Sequence, residues 1–192
     1  MAKISRHGQA EIISHSEYLR IRKELQGWHQ LFWDIAYYTG ERWGAIVALR
    51  VEDLYADGCP RQYVTFRART RKADTNGYRQ TRQVPIHPTL YERLKAYDLP
   101  NSEWLFPNKR NSRKHVCFKA ADLFLRKALE YCGYESKGIS NHSNRRTFIT
   151  RLDEKGIGIK VIQAITGHRS LQSLSSYIDV SPERMRQAIA CL

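Results

Sequence analysis

The run Trp28–Thr39, WHQLFWDIAYYT, constrains the fold more than any other stretch. Leu31, Phe32, Ile35, Ala36 and Tyr38 recur in it at helical spacing, so it reads as a core helix around which the other elements pack. Gly40 follows, the residue type best suited to close a helix in the left-handed conformation. Glu41-Arg42 then opens another helix running through Ile46, Val47 and Leu49. Arg42 is thereby fixed at a junction beside the core, although a first-turn arginine is equally an ordinary surface residue.

The remaining elements follow from similar signals. Ser14-His15-Ser16-Glu17 has capping-box spacing, in which both side chains satisfy free N–H groups at a helix start; Tyr18, Leu19, Ile21 and Leu25 line that helix, and Gly27 stops it. Tyr63–Phe66 and Arg82–Ile86 are β-prone around the turn pair Asn76-Gly77. Helices are expected over Pro88–Tyr97, Val116–Cys132 and Arg145–Glu154, then a short one through Val161, Ile162 and Ile165 ending at Gly167. A further helix covers Leu171–Ile178, and Ser181-Pro182 starts the last, with serine as cap and proline at the first position. Asn101–Lys114 reads as a loop pinned by Trp104 and Phe106. The predicted fold class is mainly α with a small antiparallel β-hairpin, an α+β domain. Residues 1–13 read as a lead-in and 14–192 as a single domain, with no separate N-terminal domain expected.

The 192 residues suffice for one domain with a real core. They carry 32 Lys and Arg against 19 Asp and Glu, a formal charge of +13. Dispersed arginines in that excess point to nucleic acid, whose phosphates they meet by releasing counterions. Basic membrane-surface helices instead concentrate their charge in one element. No run of eighteen apolar residues and no apolar signal region occur, so a cytoplasmic, nucleoid-associated protein without a membrane is expected. Cys59, Cys117, Cys132 and Cys191 are too scattered for a zinc site and read as reduced, core-filling thiols.

The chemistry concentrates between His142 and Tyr177. Breaking a phosphodiester needs a nucleophile, neutralisation of the non-bridging oxygens and a proton for the leaving oxygen. No Asp-x-Asp pair is present to hold a metal, but arginines can replace one, since their planar forks bind phosphate bidentately. Arg42 and Arg145 are the candidates. His142 and His168 could add donors, and Tyr177 is the candidate nucleophile, its developing charge stabilised as in an oxyanion hole. Lys72, able to give up a proton as arginine is not, is the candidate general acid. Arg67, Arg69, Arg71, Arg79 and Arg82 suggest a basic finger on a DNA backbone, the alternative being a solvated charged loop. Arg146 and Arg169 are further candidate DNA contacts. Singly these signals are weak: a tyrosine late in a chain usually packs, and Gly167-His168 is also a plain helix stop.

Together, Thr39-Gly40-Glu41-Arg42, His142-x-x-Arg145, Thr166-Gly167-His168 and Tyr177 resemble the catalytic domain of the tyrosine recombinase, or phage integrase, family. The similarity covers about residues 11–180, including Ala48-Leu49-Arg50-Val51-Glu52-Asp53 and Gly156-Ile157. The resemblance implies that fold, with Arg42 and Arg145 as phosphate clamps, His142 and His168 as the two box histidines, and Tyr177 forming a 3′-phosphotyrosine link without metal, ATP or other cofactor. It implies site-specific recombination of double-stranded DNA by a protein monomeric when free and tetrameric on paired sites, where residues 181–192 dock on a neighbouring protomer or pack on their own domain. A non-catalytic DNA-binding regulator and a type IB-like topoisomerase share these residues. Three positions depart from the family pattern: Ala45 stands where a glutamate is usual, and Asn144 and Arg146 stand in the usual Leu-Arg-His run.

Overall fold

The computed structural model describes residues 9–71, 77, 79–168, 170–178 and 182–190. Nine helices and three two-stranded antiparallel sheets are formed by these residues. Helix α1 (His15–Lys23) begins with the expected capping box: Ser14 accepts from the Glu17 N–H, and Glu17 accepts from the Ser14 N–H. Residues just ahead of it pack on the body. Ile13 is buried and donates its N–H to Thr147 Oγ1, and Glu11 N–H donates to the Gly138 carbonyl.

Helix α2 (Trp28–Thr39) is buried along nearly its whole length, as its composition requires. Phe32, Trp33, Ile35 and Ala36 have no exposed surface, and Phe32 meets Trp43, Phe106 and Phe124 in an aromatic cluster. Burying the three large ones contributes on the order of 4–9 kcal/mol before conformational entropy is subtracted. The next helix, α3 (Trp43–Ile46), is only one turn long, shorter than its apolar residues suggested. Gly44, the second of its four residues, is a weak helix former.

Strands β1 (Tyr55–Ala56) and β2 (Cys59–Pro60) make a tight hairpin not anticipated from sequence. The expected pair is present as β3 (Tyr63–Phe66) and β4 (Arg82–Pro85), in the register Val64↔Val84 and Phe66↔Arg82. Helix α4 (Pro88–Lys95) follows. The presumed loop 101–114 folds into β5 (Pro107–Asn108) and β6 (Asn111–His115). Helix α5 (Phe118–Cys132) lays Ala121, Phe124, Leu125, Ala128 and Leu129 on the core.

A smaller apolar cluster closes the chain. Helices α6 (Ser143–Glu154), α7 (Ile159–Thr166) and α8 (Leu171–Ser175) bury Ile149, Ile162 and Leu174 together, with Leu152, Tyr177 and Ile178 against them. Helix α6 packs across α2, where Gly40 permits the contact: a Cβ there would lie 2.7 Å from the Phe148 ring, and its φ of 58° is left-handed. Arg145 of α6 and Arg42, two residues past Gly40, lie at this seam. Helix α9 (Pro182–Ala190) exposes Met185 and Ile189. No described helix is long and apolar enough to cross a membrane. Cys132 is buried, but Cys59 and Cys117 are exposed, contrary to the expectation of core-filling thiols, because they fall in a two-residue strand and at a helix cap.

Asn144 is a local conflict. It has no exposed surface, and neither its amide nitrogen nor its amide oxygen has a hydrogen-bond partner among the described residues. Replacing it with leucine removes two unsatisfied groups, so Asn144→Leu is expected to stabilise the fold by about 1–2 kcal/mol in urea denaturation. A destabilised variant would show that the amide is satisfied in solution.

Candidate active site

Arg145 is the structural centre of the seam. It is 2% exposed, and its two terminal nitrogens reach different helix ends. Nη1 donates to the Gly40 carbonyl at 3.0 Å, and Nη2 donates to the Thr166 carbonyl at 3.1 Å. Those carbonyls close α2 and α7, where free C=O groups carry the negative end of each helix dipole. Sequence alone could not supply this reason for a buried arginine in α6. Burial, together with the Arg42 charge, lowers the guanidinium to about 10, so it stays protonated at neutral pH.

His168 follows the left-handed Gly167 turn, φ 65°, and stands 3.0 Å from Arg145 Nη2 through Nε2. Thr166 Oγ1 donates to the Ile162 carbonyl at 2.6 Å and lies 2.7 Å from His168 Nδ1. Since Thr166 Oγ1 already donates to Ile162, the ring proton sits on Nδ1 and donates to Thr166, leaving Nε2 to accept from Arg145; the longer 3.3 Å approach of Arg145 Nη2 to Nδ1 is then not a hydrogen bond. Burial and then the charges of Arg145, Arg42, Arg82 and Arg71 push the imidazole down to about 3, so His168 is neutral. Tyr177 is half-buried against the small apolar cluster, its ring centroid 5.8 Å from that of His168. Its carbonyl accepts from Thr150 Oγ1 at 3.3 Å, tying the segment to α6.

Arg42 caps the N-terminus of α3 with a half-buried side chain, and its charge acts on Arg145, Arg82 and His168. His142 occupies the exposed N-cap of α6, one turn ahead of Arg145. The fold thus brings Arg42, Arg145, His168 and Tyr177 together, with His142 at the rim. Lys72 and Arg169 lie outside the described residues.

Glu41 was not singled out from sequence. Its carboxylate is 1% exposed and sits among arginines: Oε2 is 3.1 Å from Arg82 Nη2 and 3.3 Å from Arg71 Nε, and Oε1 is 4.0 Å from Arg145 Nη1. Oε1 also accepts the Arg42 N–H at 2.8 Å. Burial alone would raise this carboxyl, but Arg82, Arg71 and Arg145 outweigh it and hold Glu41 below the usual carboxylate range. One negative charge therefore organises a cluster that keeps a positive excess for an anion.

The basic finger is largely redirected inward. Arg82, expected as a DNA contact, is 5% exposed: strand alternation puts it on the inner face with Val84, where it donates to the Ile165 and Thr39 carbonyls and lies over the Phe66 ring. Arg71 is likewise buried on Glu41, with Nη1 donating to the Gln80 carbonyl. A side chain on Gly167 would collide with this pair, its Cβ 2.7 Å from Arg71 Nη2. Arg67 pairs with Glu52 and Asp53, and Arg146 donates to the Ala10 carbonyl. Arg69 and Arg79 remain exposed. The alternation Arg82-Gln83-Val84-Pro85 was the available signal for an inward Arg82.

Residues 8–184 match the sequence profile of the phage integrase family. The chain belongs to this family. A tyrosine recombinase of Pseudothermotoga lettingae is 29% identical over 163 residues, 83% of this chain and 52% of that protein. Tyrosine recombinase XerD of Mycobacterium leprae is 30% identical over 170 residues, covering 82% and 49% respectively. The chain thus spans about half the length of the curated relatives it matches. Among solved structures, XerH site-specific recombinase bound to its difH substrate superposes with a TM-score of 0.70 at 16% identity, covering 97% of this chain and 55% of that one. The Tn1549 transposon integrase in complex with transposon right end DNA gives 0.74 at 16% identity, covering 95% and 66%. These likenesses establish the tyrosine recombinase catalytic-domain fold for this chain. Among the described residues no three His, Cys, Asp or Glu side chains group to hold a metal.

Proposed function

We propose that this domain cleaves and rejoins DNA strands in site-specific recombination through a covalent 3′-phosphotyrosine. The observation that carries the reading is the buried Arg145, fixed between the Gly40 and Thr166 carbonyls and touching His168, with Tyr177 beside that histidine. In this reading the scissile phosphate binds the outward side of Arg145 and Arg42, and His142 at the rim adds a donor. As the Tyr177 oxygen attacks phosphorus its phenol proton leaves to solvent, and neutral His168, held by Arg145 and Thr166, keeps the arginine aimed at the phosphate. The bond to the 5′ oxygen breaks, and Lys72 supplies that oxygen with a proton. Attack by a partner strand's 5′-hydroxyl reverses the sequence, so the phosphodiester bond energy is conserved without ATP.

The same reading makes double-stranded DNA the partner and puts the protein with the chromosome in the cytoplasm. Four protomers then meet on paired sites, where the exposed Met185 and Ile189 of α9 suit docking on a neighbour. The test is incubation with nicked duplexes carrying the cognate site, followed by denaturation. A protein–DNA adduct is expected from wild type and none from Tyr177→Phe. Equal behaviour of the two proteins would overturn the reading.

A further inference from the structure

The arginines of the β3–β4 connection are largely committed to the protein, so the exposed cations elsewhere gain importance. Hairpin β5–β6 carries Lys109, Arg110, Arg113 and Lys114, all exposed. Among the described residues no carboxylate lies within salt-bridge distance of any of the four, whereas Arg50, Arg67, Arg126, Lys137 and Arg186 each have one. Four like charges within six residues repel one another, so the cluster is not there to stabilise the hairpin.

The hairpin is built to hold those charges out. Asn108 and Asn111 accept the backbone N–H groups of Arg110 and Arg113 at 2.9 and 3.0 Å. Trp104 Nε1 donates to the Arg113 carbonyl at 3.0 Å, and Ser102 Oγ donates to the Ser112 carbonyl at 3.0 Å. The Trp104 ring meets His115 edge-on and is covered by Arg50. Phe106, just before β5, is buried against Trp28 and Phe32. A fixed backbone that displays unpaired cations loses little freedom on meeting a polyanion.

We infer that β5–β6 is a second DNA-contact surface, its four cations gripping backbone phosphates away from the cleavage point. The inference rests on the proposed DNA strand-transfer function. Phe106 ties the hairpin to the first half of α2 through Trp28 and Phe32, whereas Gly40 and Arg42 of the site follow its end. The two surfaces therefore address different phosphates of one duplex.

The test is a Lys109→Ala/Arg110→Ala/Arg113→Ala/Lys114→Ala variant, with folding checked by its thermal midpoint. Affinity for a random-sequence duplex is measured over a salt series, since each phosphate contact contributes about 0.9 to the slope of log K against log salt. A slope smaller by about 2–4 units, with wild-type adduct yield once the nicked DNA is saturating, is the expected result. An unchanged slope in a folded variant would overturn the inference, as would lost binding to phosphatidylserine vesicles with DNA binding intact, which would assign the hairpin to a membrane surface. If wild type forms no adduct while the slope still falls, the hairpin contact stands and the strand-transfer reading fails.

Discussion

Glu41→Gln is expected to destabilise the domain by about 3–5 kcal/mol, the cost of leaving buried charges without their counter-ion. The substitution keeps shape and removes only the charge that faces Arg71, Arg82 and Arg145. Those arginines retain their carbonyl partners, so the fold should weaken rather than fail. The uncompensated site should then bind anions more tightly, and added sulfate should restore more stability to the variant than to wild type. Urea denaturation with and without sulfate checks both statements. A variant as stable as wild type and indifferent to sulfate would remove Glu41 from the centre of the cluster. The same linkage fixes the sign with pH: because the folded state holds Glu41 below its unfolded value, its stabilisation is present above the unfolded carboxylate range and is lost as pH falls toward the folded value.

Arg145→Ala is expected to slow cleavage of a nicked duplex by about a hundredfold to a thousandfold in single turnover, the usual loss for one preorganised donor facing developing charge. It also leaves the Gly40 and Thr166 carbonyls without their donor and removes the contact that orients His168. Arg145→Lys keeps the charge but cannot span both helix ends, so it should recover only a minor part of the rate. Duplex affinity should change far less than rate, because many other cations meet the backbone. Near-wild-type cleavage by Arg145→Ala would mean that the phosphate sits elsewhere.

Much of this arrangement was legible because local signals agreed with the fold. The Ser14 cap, the apolar α2, the Gly40 turn and the Tyr63–Phe66 and Arg82–Pro85 strands all appear as read. Hairpins β1–β2 and β5–β6 were not, because two-residue strands carry no periodicity and β6, NSRKH, is polar throughout. At the site, the motif residues were visible from type and spacing. The direction of charge was not: cations are rarely buried, so sequence points Arg71 and Arg82 outward, and the carboxylate that buries them comes from another part of the chain. Glu41 stands in the sequence only as a helix opener inside the Thr39-Gly40-Glu41-Arg42 motif, with no sign that it is buried among arginines. It lies next to Arg42, whose N–H its carboxylate accepts.

The most direct measurement is identification of the residue that carries DNA. Adduct formed on a nicked duplex is digested with nuclease and protease, and the nucleotide-bearing peptide is sequenced by mass spectrometry. The modified residue should be Tyr177, joined to a 3′-phosphate, with a free 5′-hydroxyl on the released strand. Attachment at any other residue, or a 5′-phosphate link, would contradict the assignment of the site.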